Sequence, residues 1–130
     1  PIPQAGNSGQ KAMIGLSEMV SIGDGRLLTV ERSFAEGVGN TIKIFMVDLL
    51  NASDVSDIAS LAKHDGYITP VAKTEVLDLN GMGLTPDNIE AMAIGKGRDG
   101  TEILLLAADN NFSARQKTQF FAFKMMRRSR

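Results

Sequence analysis

The sequence contains no cysteine and no tryptophan, and its only histidine is His64. The absence of cysteine excludes thiolate zinc sites and cysteine-based catalysis, and one histidine cannot build a multi-histidine metal site within one chain. Any metal bound by this chain would therefore be a hard cation with oxygen ligands. His64 itself stands between Lys63 and Asp65 in a predicted loop, where a solvated side chain is expected.

The chain has no excess of either charge and no long apolar run. Its 14 lysine and arginine residues nearly balance 15 aspartate and glutamate residues, which leaves a formal net charge of -1. Such a balance creates no field that attracts nucleic acid, so nucleic acid is not an expected partner. The longest apolar stretches, such as 103–108, are far shorter than the roughly 20 residues of a membrane-spanning helix. We therefore expect a globular chain without a membrane span.

Short segments in which apolar and polar residues alternate predict an all-β fold. The strand candidates are residues 13–22, 27–30, 42–49, 71–79, 89–94, 102–108 and 118–124. Turn-forming residues separate them, and the turn Gly23-Asp24-Gly25 joins the first two in a hairpin. One short helix is also expected, with Ser53 as its N-cap and apolar residues at helical spacing as far as Leu61.

The two halves of the sequence are similar, which indicates an internal repeat. Residues 18–23 align with 90–95, 24–25 with 99–100, 27–28 with 104–105, and 31–34 with 109–112. A repeated unit of three or four consecutive antiparallel strands is typical of β-propeller blades, so we predict about two propeller-like blades, a partial β-propeller. A β-sandwich is the alternative.

This repeat divides the chain into four predicted parts. They are a loop or arm at 1–11, a first blade-like repeat at 12–84, a second and incomplete repeat at 85–126, and a basic tail at 127–130. Two blades cannot close a ring, because propellers need about four to eight. We therefore expect self-association, or the remaining blades of a longer chain, to cover the open strand edges and sheet faces.

Acidic residues occupy corresponding positions in the two repeats. Glu18 and Glu90 stand near the starts of the first strands, and Glu31 and Asp109 stand at the ends of the second strands. Carboxylates at equivalent strand ends of neighbouring blades would converge on one rim, where a cation or a basic side chain must neutralise them. The alternative is structural: Glu18 and Glu90 join the blades through hydrogen bonds to the backbone, and Asp109-Asn110-Asn111 is a turn.

Further residues near these acids have predicted roles. Arg32, Arg115 and Lys117 are candidates for neutralising the carboxylates or for holding a phosphate. Phe34 and Phe112 follow the paired acids by three residues and are expected to be equivalent packing anchors.

The segment Gly95–Gly100 matches the letters of the dinucleotide-binding fingerprint G-x-G-x-x-G, and it follows a predicted strand. The fingerprint also requires a helix that begins at its last glycine, whereas residues 101–106 have the pattern of a strand. We predict a hairpin turn at this segment and no nucleotide site.

Several of these motifs together resemble the phytase-like family, which is described as carrying the esterase-like activity of phytase. They are Glu18, Glu31-Arg32-Ser33-Phe34, Asn88-Ile89-Glu90-Ala91-Met92 and Asp109-Asn110-Asn111-Phe112-Ser113. The resemblance spans about Gly15 to Lys124 and corresponds to the C-terminal part of the longer family members. It implies a propeller-like β fold, a secreted or periplasmic location in bacteria, and hydrolysis of a phosphoester small molecule.

The resemblance also implies roles for individual residues. The catalytic roles pass by motif to Glu18, Glu31, Glu90 and Asp109. Calcium held by Glu31 and Asp109 would position the phosphate and activate water. The residues expected to bind the substrate are Arg32, Arg115, Lys117, Asn110 and Asn111. The alternative function is a non-catalytic β-propeller module that binds a protein or a ligand on its rim.

Overall fold

The computed structural model describes residues 12–126, which are mostly β-strand. The strands are β1 (Ala12–Gly23), β2 (Arg26–Ala35), β3 (Gly39–Asp48), β4 (Ala72–Asp78), β5 (Ile89–Lys96), β6 (Glu102–Ala108) and β7 (Gln119–Lys124). The all-β prediction is confirmed. Over these residues no helix has the length and apolar character needed to cross a membrane. The predicted arm at 1–11 and the basic tail at 127–130 lie outside the described residues.

The strands form two antiparallel sheets in which each strand pairs with its neighbour in sequence. The first sheet has the order β1-β2-β3-β4, and the second has the order β5-β6-β7. The first turn, Gly23-Asp24-Gly25, has positive φ at all three residues, and the two glycines adopt this conformation without the penalty of a side chain. The second hairpin closes with a bond of 2.8 Å from the Gly97 N–H to the Thr101 carbonyl, so the glycine-rich segment is a turn as predicted.

One apolar core fills the space between the sheets. Its buried members are Leu28, Val30, Ile42, Ile44, Leu79, Ile89, Met92, Leu104, Leu106 and Ala108. Leu79 follows β4, and the others lie on one face of each sheet, so the two faces turn towards each other. Each large side chain buried here contributes about 1.5–3 kcal/mol. Between the sheets, β5 approaches β1 and β2 most closely.

The strand register supports the internal repeat and corrects one part of its alignment. Val20 lies opposite Leu28 in the first sheet, and its repeat equivalent Met92 lies opposite Leu106 in the second. Leu28 therefore corresponds to Leu106, so the predicted match of residues 27–28 with 104–105 is displaced by one position. The additional residues of the second repeat lie in its hairpin turn.

A second feature of the register also repeats. The pairing of β1 with β2 shifts between Leu16 and Glu18, and the pairing of β5 with β6 shifts between Ile89 and Ala91. Such irregularities bend a strand locally and change the direction of its side chains. Each shift falls at or beside the acidic residue of its first strand.

Equivalent faces of the two repeats meet in the core. Leu28 and Val30 face the second sheet, and their equivalents Leu106 and Ala108 face the first. A rotation about a propeller axis would instead bring the front face of one blade against the back face of the next, so the contact of equivalent faces is the packing of a sandwich. Residues 12–126 thus have the strand order of two propeller blades and the face-to-face packing of a sandwich, the two architectures that the sequence predicts.

The predicted helix from Ser53 is absent. The only helical element in residues 12–126 is the 3-10 turn Leu61–Lys63. Ser53 donates its N–H to the Thr69 carbonyl at 3.0 Å, and its Oγ accepts the Thr69 N–H at 2.9 Å. Because this tertiary pairing uses the hydroxyl that would cap the helix, the following residues form turns.

The expectation that Phe34 and Phe112 are equivalent packing anchors is wrong. The Phe112 side chain is 102% exposed, whereas Phe34 is 40% exposed and lies within β2. The reason is that β6 ends at Ala108, and Asn111 and Phe112 then adopt positive φ in a turn. The first repeat continues as a strand over the corresponding positions.

Candidate anion-binding cleft

The two sheets differ in length, and this difference creates a cleft. Strands β1, β2 and β3 have 12, 10 and 10 residues, whereas β5, β6 and β7 have 8, 7 and 6. Since each residue adds about 3.3 Å, the first sheet extends past the second by several ångströms. Beyond the core, its inner face forms one wall of a cleft of about 720 Å³. Loops that flank β5 and β7 form the other wall.

Arg32 and Phe34 line the cleft on the wall that the first sheet forms. They follow Leu28 and Val30 at a period of two in β2, so their side chains leave the same face beyond the edge of the core. Arg32 lies opposite Gly15 in β1, where a Cβ atom would meet nothing within 4 Å. Arg32 therefore has no cross-strand side chain of β1 beside it.

Arg115 and Lys117 line the opposite wall of the cleft and lie in the loop between β6 and β7. Asp87 anchors this loop, because its Oδ2 accepts the Lys117 N–H at 2.8 Å and its Oδ1 accepts the Asn88 N–H at 2.8 Å. The Asp87 N–H in turn donates to Gln119 Oε1 at 2.7 Å. These bonds join the loop to the start of β5.

The cleft therefore concentrates positive charge. Arg32 lies 3.8 Å from a carboxylate oxygen of Glu90. Within residues 12–126, the side chains of Arg115 and Lys117 form no ion pair and no hydrogen bond. Basic groups without a carboxylate partner on one cleft are suited to bind an anion such as phosphate. The structure brings together the three basic residues that the sequence analysis selected.

Some polar groups of the cleft are committed to holding the fold. The Asn80 side chain accepts the Ile42 N–H at 3.0 Å and donates to the Asn40 carbonyl at 2.9 Å. It thereby completes the pairing of β3 where β4 ends. The Gln119 amide likewise bonds to Asp87 and to the Thr85 carbonyl.

Of the four predicted catalytic acids, Glu90 lies beside the cleft. Its carboxylate is held by the side-chain amide of Asn88 and faces Arg32. Glu18 instead accepts the N–H of the next residue, Met19, at 2.8 Å, and this bond does not join the two repeats.

Glu31 points away from the cleft although it precedes Arg32 in the chain. Successive residues of a strand face opposite sides of the sheet, so Glu31 lies on the outer face of the first sheet. Its side chain is 13% exposed and forms an ion pair of 2.5 Å with Lys73. The Lys73 ammonium group also lies 4.3 Å from the centroid of the Phe45 ring. These contacts give Glu31 a structural partner.

Another ion-pair cluster on the first sheet joins β3 and β4. Lys43 Nζ lies 2.8 Å from Glu75 and 3.2 Å from Asp78. The hydrogen bond to Glu75 raises the pKa of Lys43 above its ordinary value. The N–H of Gly81, with a smaller contribution from Lys43, lowers the pKa of Asp78. All of these charges are partnered, so the cluster has no basic group free for an anion.

Asp109, Asn110 and Asn111 form the turn after β6. The Asp109 carboxylate accepts the Asn110 N–H at 2.8 Å, and the Asn110 side chain accepts the Phe112 N–H at 3.2 Å. The Asn111 amide donates to the Asp109 carbonyl at 3.4 Å. None of the three is among the residues that line the cleft.

The two predicted calcium ligands, Glu31 and Asp109, do not belong to a cluster of acidic side chains within residues 12–126. Residues 12–126 contain no group of three or more His, Cys, Asp or Glu side chains that could hold a metal ion. Calcium takes six to eight oxygen ligands, of which Glu31 and Asp109 could supply a few. The Glu31 carboxylate is moreover engaged by Lys73.

Asp87 has no role in the predictions from the sequence, although it anchors the loop that contains Arg115 and Lys117. The internal repeat gives no indication of Asp87, because the corresponding position of the first repeat, 72 residues earlier, is occupied by Gly15 and not by an acidic residue. The pattern Pro86-Asp87-Asn88 before a strand is a turn signal and could have indicated a side chain that bonds to the backbone.

Comparison with known proteins identifies one family. A family model described as phytase-like, with the esterase-like activity of phytase, matches residues 2–112. The match begins earlier and ends earlier than the resemblance judged from motifs, and it includes Arg32 and Glu90 but not Arg115 and Lys117. No curated protein and no solved structure matched the chain.

Proposed function

Because this chain belongs to the phytase-like family, we propose that it is a phosphoric-ester hydrolase domain whose cleft binds the phosphate of the substrate. The observation that carries the proposal is the meeting of Arg32, Arg115 and Lys117 on one cleft. Arginine forms paired hydrogen bonds to phosphate, and lysine adds a point charge. A secreted or periplasmic location and a bacterial source belong to the same proposal, and they depend on the family alone.

In the proposed reaction these basic side chains neutralise the phosphoryl oxygens as charge develops in the transition state. A water oxygen forms a bond to phosphorus while the bond from phosphorus to the ester oxygen breaks. Glu90, next to Arg32, accepts the proton of the water, and solvent protonates the departing alkoxide. Glu18, Glu31 and Asp109 have no part in these steps.

The first experiment is a calorimetric titration of the chain with inorganic phosphate. We expect saturable binding that weakens as salt concentration rises, because the contacts are ionic. Arg115→Gln should weaken binding about tenfold or more, which corresponds to the loss of one charge-assisted contact. Hydrolysis of a phosphomonoester is then measured on the same samples.

Arg98→Gln is the matched control, because Arg98 is also exposed but lies in the second hairpin turn, away from the cleft. It should leave the phosphate affinity unchanged. Failure of the unsubstituted chain to bind phosphate, or an equal effect of both substitutions, would contradict the proposal.

Calcium stays a prediction that depends on the family resemblance. Glu31 and Asp109 would need further oxygen ligands to complete a coordination shell. The check is a calcium titration of the thermal unfolding midpoint. A midpoint that rises with calcium in the unsubstituted chain but not in Asp109→Asn would support the prediction, and an unchanged midpoint would count against it.

The second candidate function is a binding module without catalysis. It is favoured by the separation of the predicted catalytic acids, of which Glu90 alone lies beside the basic cleft. A chain that binds phosphate but releases no phosphate from any ester, with or without calcium, would have this function.

A further inference from the structure

The cleft combines its basic side chains with an apolar wall that a phosphate group does not need. Met13, Phe34 and Val38 line this wall and are 64%, 40% and 68% exposed. Met13 and Phe34 lie opposite each other in β1 and β2. Neighbouring exposed apolar groups beside convergent polar groups are typical of a ligand site and indicate a ligand that is itself partly apolar.

The positions of the wall and the basic groups fit one small molecule. Arg32 and Phe34 are two residues apart in β2, so their side chains leave the same face about 7 Å from each other. A phosphate held by Arg32 would therefore place the alcohol part of an ester against the Phe34 ring. An aromatic or similarly apolar alcohol buries surface there, whereas a strongly hydrated one does not.

The charge of the cleft also limits the number of phosphate groups that a bound ligand can carry. The three basic side chains stand beside the carboxylates of Asp87 and Glu90, so the cleft has enough positive charge for one phosphate group at most, which carries about two negative charges near neutral pH. An ester with several phosphates would leave most of its charge without a partner in this cleft. Free phosphate would leave the apolar wall in contact with water.

We propose, on the basis of the proposed function, that the cleft selects phosphate monoesters of aromatic or similarly apolar alcohols. It disfavours both free phosphate and esters that carry several phosphates. Phe34 is the residue that determines this preference, and the basic side chains determine that a phosphate binds at all.

The test compares three probes by calorimetry with the full chain at about 0.15 M salt. Phenyl phosphate is expected to bind about five- to tenfold more tightly than inorganic phosphate, the gain from burying one face of a ring. Inositol hexakisphosphate is expected to bind no more tightly than phenyl phosphate.

Phe34→Ala should abolish the difference in affinity between phenyl phosphate and inorganic phosphate. Val38→Ser, in the exposed turn after β2, is a second variant with little risk to folding and should reduce the difference. Phe120→Ala is the matched control, because Phe120 is an exposed phenylalanine that does not line the cleft.

The outcomes separate this inference from the proposed function. Equal binding of phenyl phosphate and phosphate by the unsubstituted chain would overturn the inference and leave the proposed function standing. Tighter binding of the hexakisphosphate, or a preference that survives Phe34→Ala, would also overturn it. Absence of binding for all three probes would overturn both.

Discussion

The Asp87 carboxylate accepts a hydrogen bond of 2.8 Å from the backbone N–H of Lys117, a residue 30 positions further along the chain. This bond fixes the loop that carries Arg115 and Lys117 to the start of β5. The loop contains no regular structure of its own between β6 and β7. The position of two basic groups in the cleft therefore depends on a carboxylate that, among the described residues, forms no ion pair with Arg32.

Asp87→Asn should weaken phosphate binding about tenfold and lower the free energy of unfolding by about 1–3 kcal/mol. The physical reason is that an amide cannot accept both N–H groups, so the loop loses one of its anchors. Calorimetry and thermal unfolding measure the two effects. Combined with Arg115→Gln, the substitution should weaken binding by less than the sum of the single effects, since both act through one loop. Full additivity would show that Asp87 acts elsewhere.

Glu90→Gln and Glu31→Gln should have different effects on turnover and on stability, although each removes a predicted catalytic acid. Glu90 lies beside the cleft, so its loss should lower the turnover of a phosphomonoester about a hundredfold or more with little change in phosphate affinity. Glu31 pairs with Lys73 on the outer face, so its loss should reduce stability and spare turnover. Steady-state kinetics and thermal unfolding, measured on both variants, test this expectation. A loss of turnover in Glu31→Gln but not in Glu90→Gln would indicate that the reaction takes place on the outer face of the first sheet.

Asp78 should make stability depend on acid pH. Its carboxylate accepts the Gly81 N–H at 2.9 Å, and the pKa of Asp78 is held below the ordinary value of 3.8. Because the folded-state pKa is lower than that of the unfolded chain, the contribution is present above about pH 4 and is lost as the pH falls through the folded-state pKa. Asp78→Asn should therefore flatten the acid side of a plot of unfolding midpoint against pH. Asp57→Asn is the control at an exposed position, and an identical acid side in both variants would contradict the assignment.

The outer face of the second sheet should promote self-association. It carries a continuous apolar surface formed by Ala91, Ala93, Leu105, Ala107, Phe120 and Ala122. Leu105 and Phe120 are exposed there, and exposed apolar sheet faces pair with other molecules. Light scattering over a range of concentrations should detect a dimer or a larger assembly, and Phe120→Lys should favour the monomer. Val76→Lys, at an exposed apolar position of β4, is the control. A monomer at every concentration would contradict this prediction.

Local sequence determined the strands of this protein. Alternation of apolar and polar residues and short apolar runs between turn residues predict all seven, although β2 continues past the predicted 27–30 to Ala35. The turn at Gly23-Asp24-Gly25 and the turn within Gly95–Gly100 were predictable for a similar reason, since glycine is the residue that adopts positive φ without strain. The helix at Ser53 was not, because a contact with Thr69, sixteen residues away, uses its hydroxyl.

The sequence by itself also selected Arg32, Arg115 and Lys117, since basic residues near a repeated acidic position can be recognised from their order in the chain. Tertiary structure alone decided that they share a cleft. Their meeting depends on the unequal lengths of the two sheets and on the bond from Lys117 to Asp87, and neither has a local signal. Tertiary structure also separated Glu31 from Arg32, because β2 continues to Ala35 and adjacent residues within a strand face opposite sides. The end of a strand depends on what packs against it, and this information is not local in the sequence.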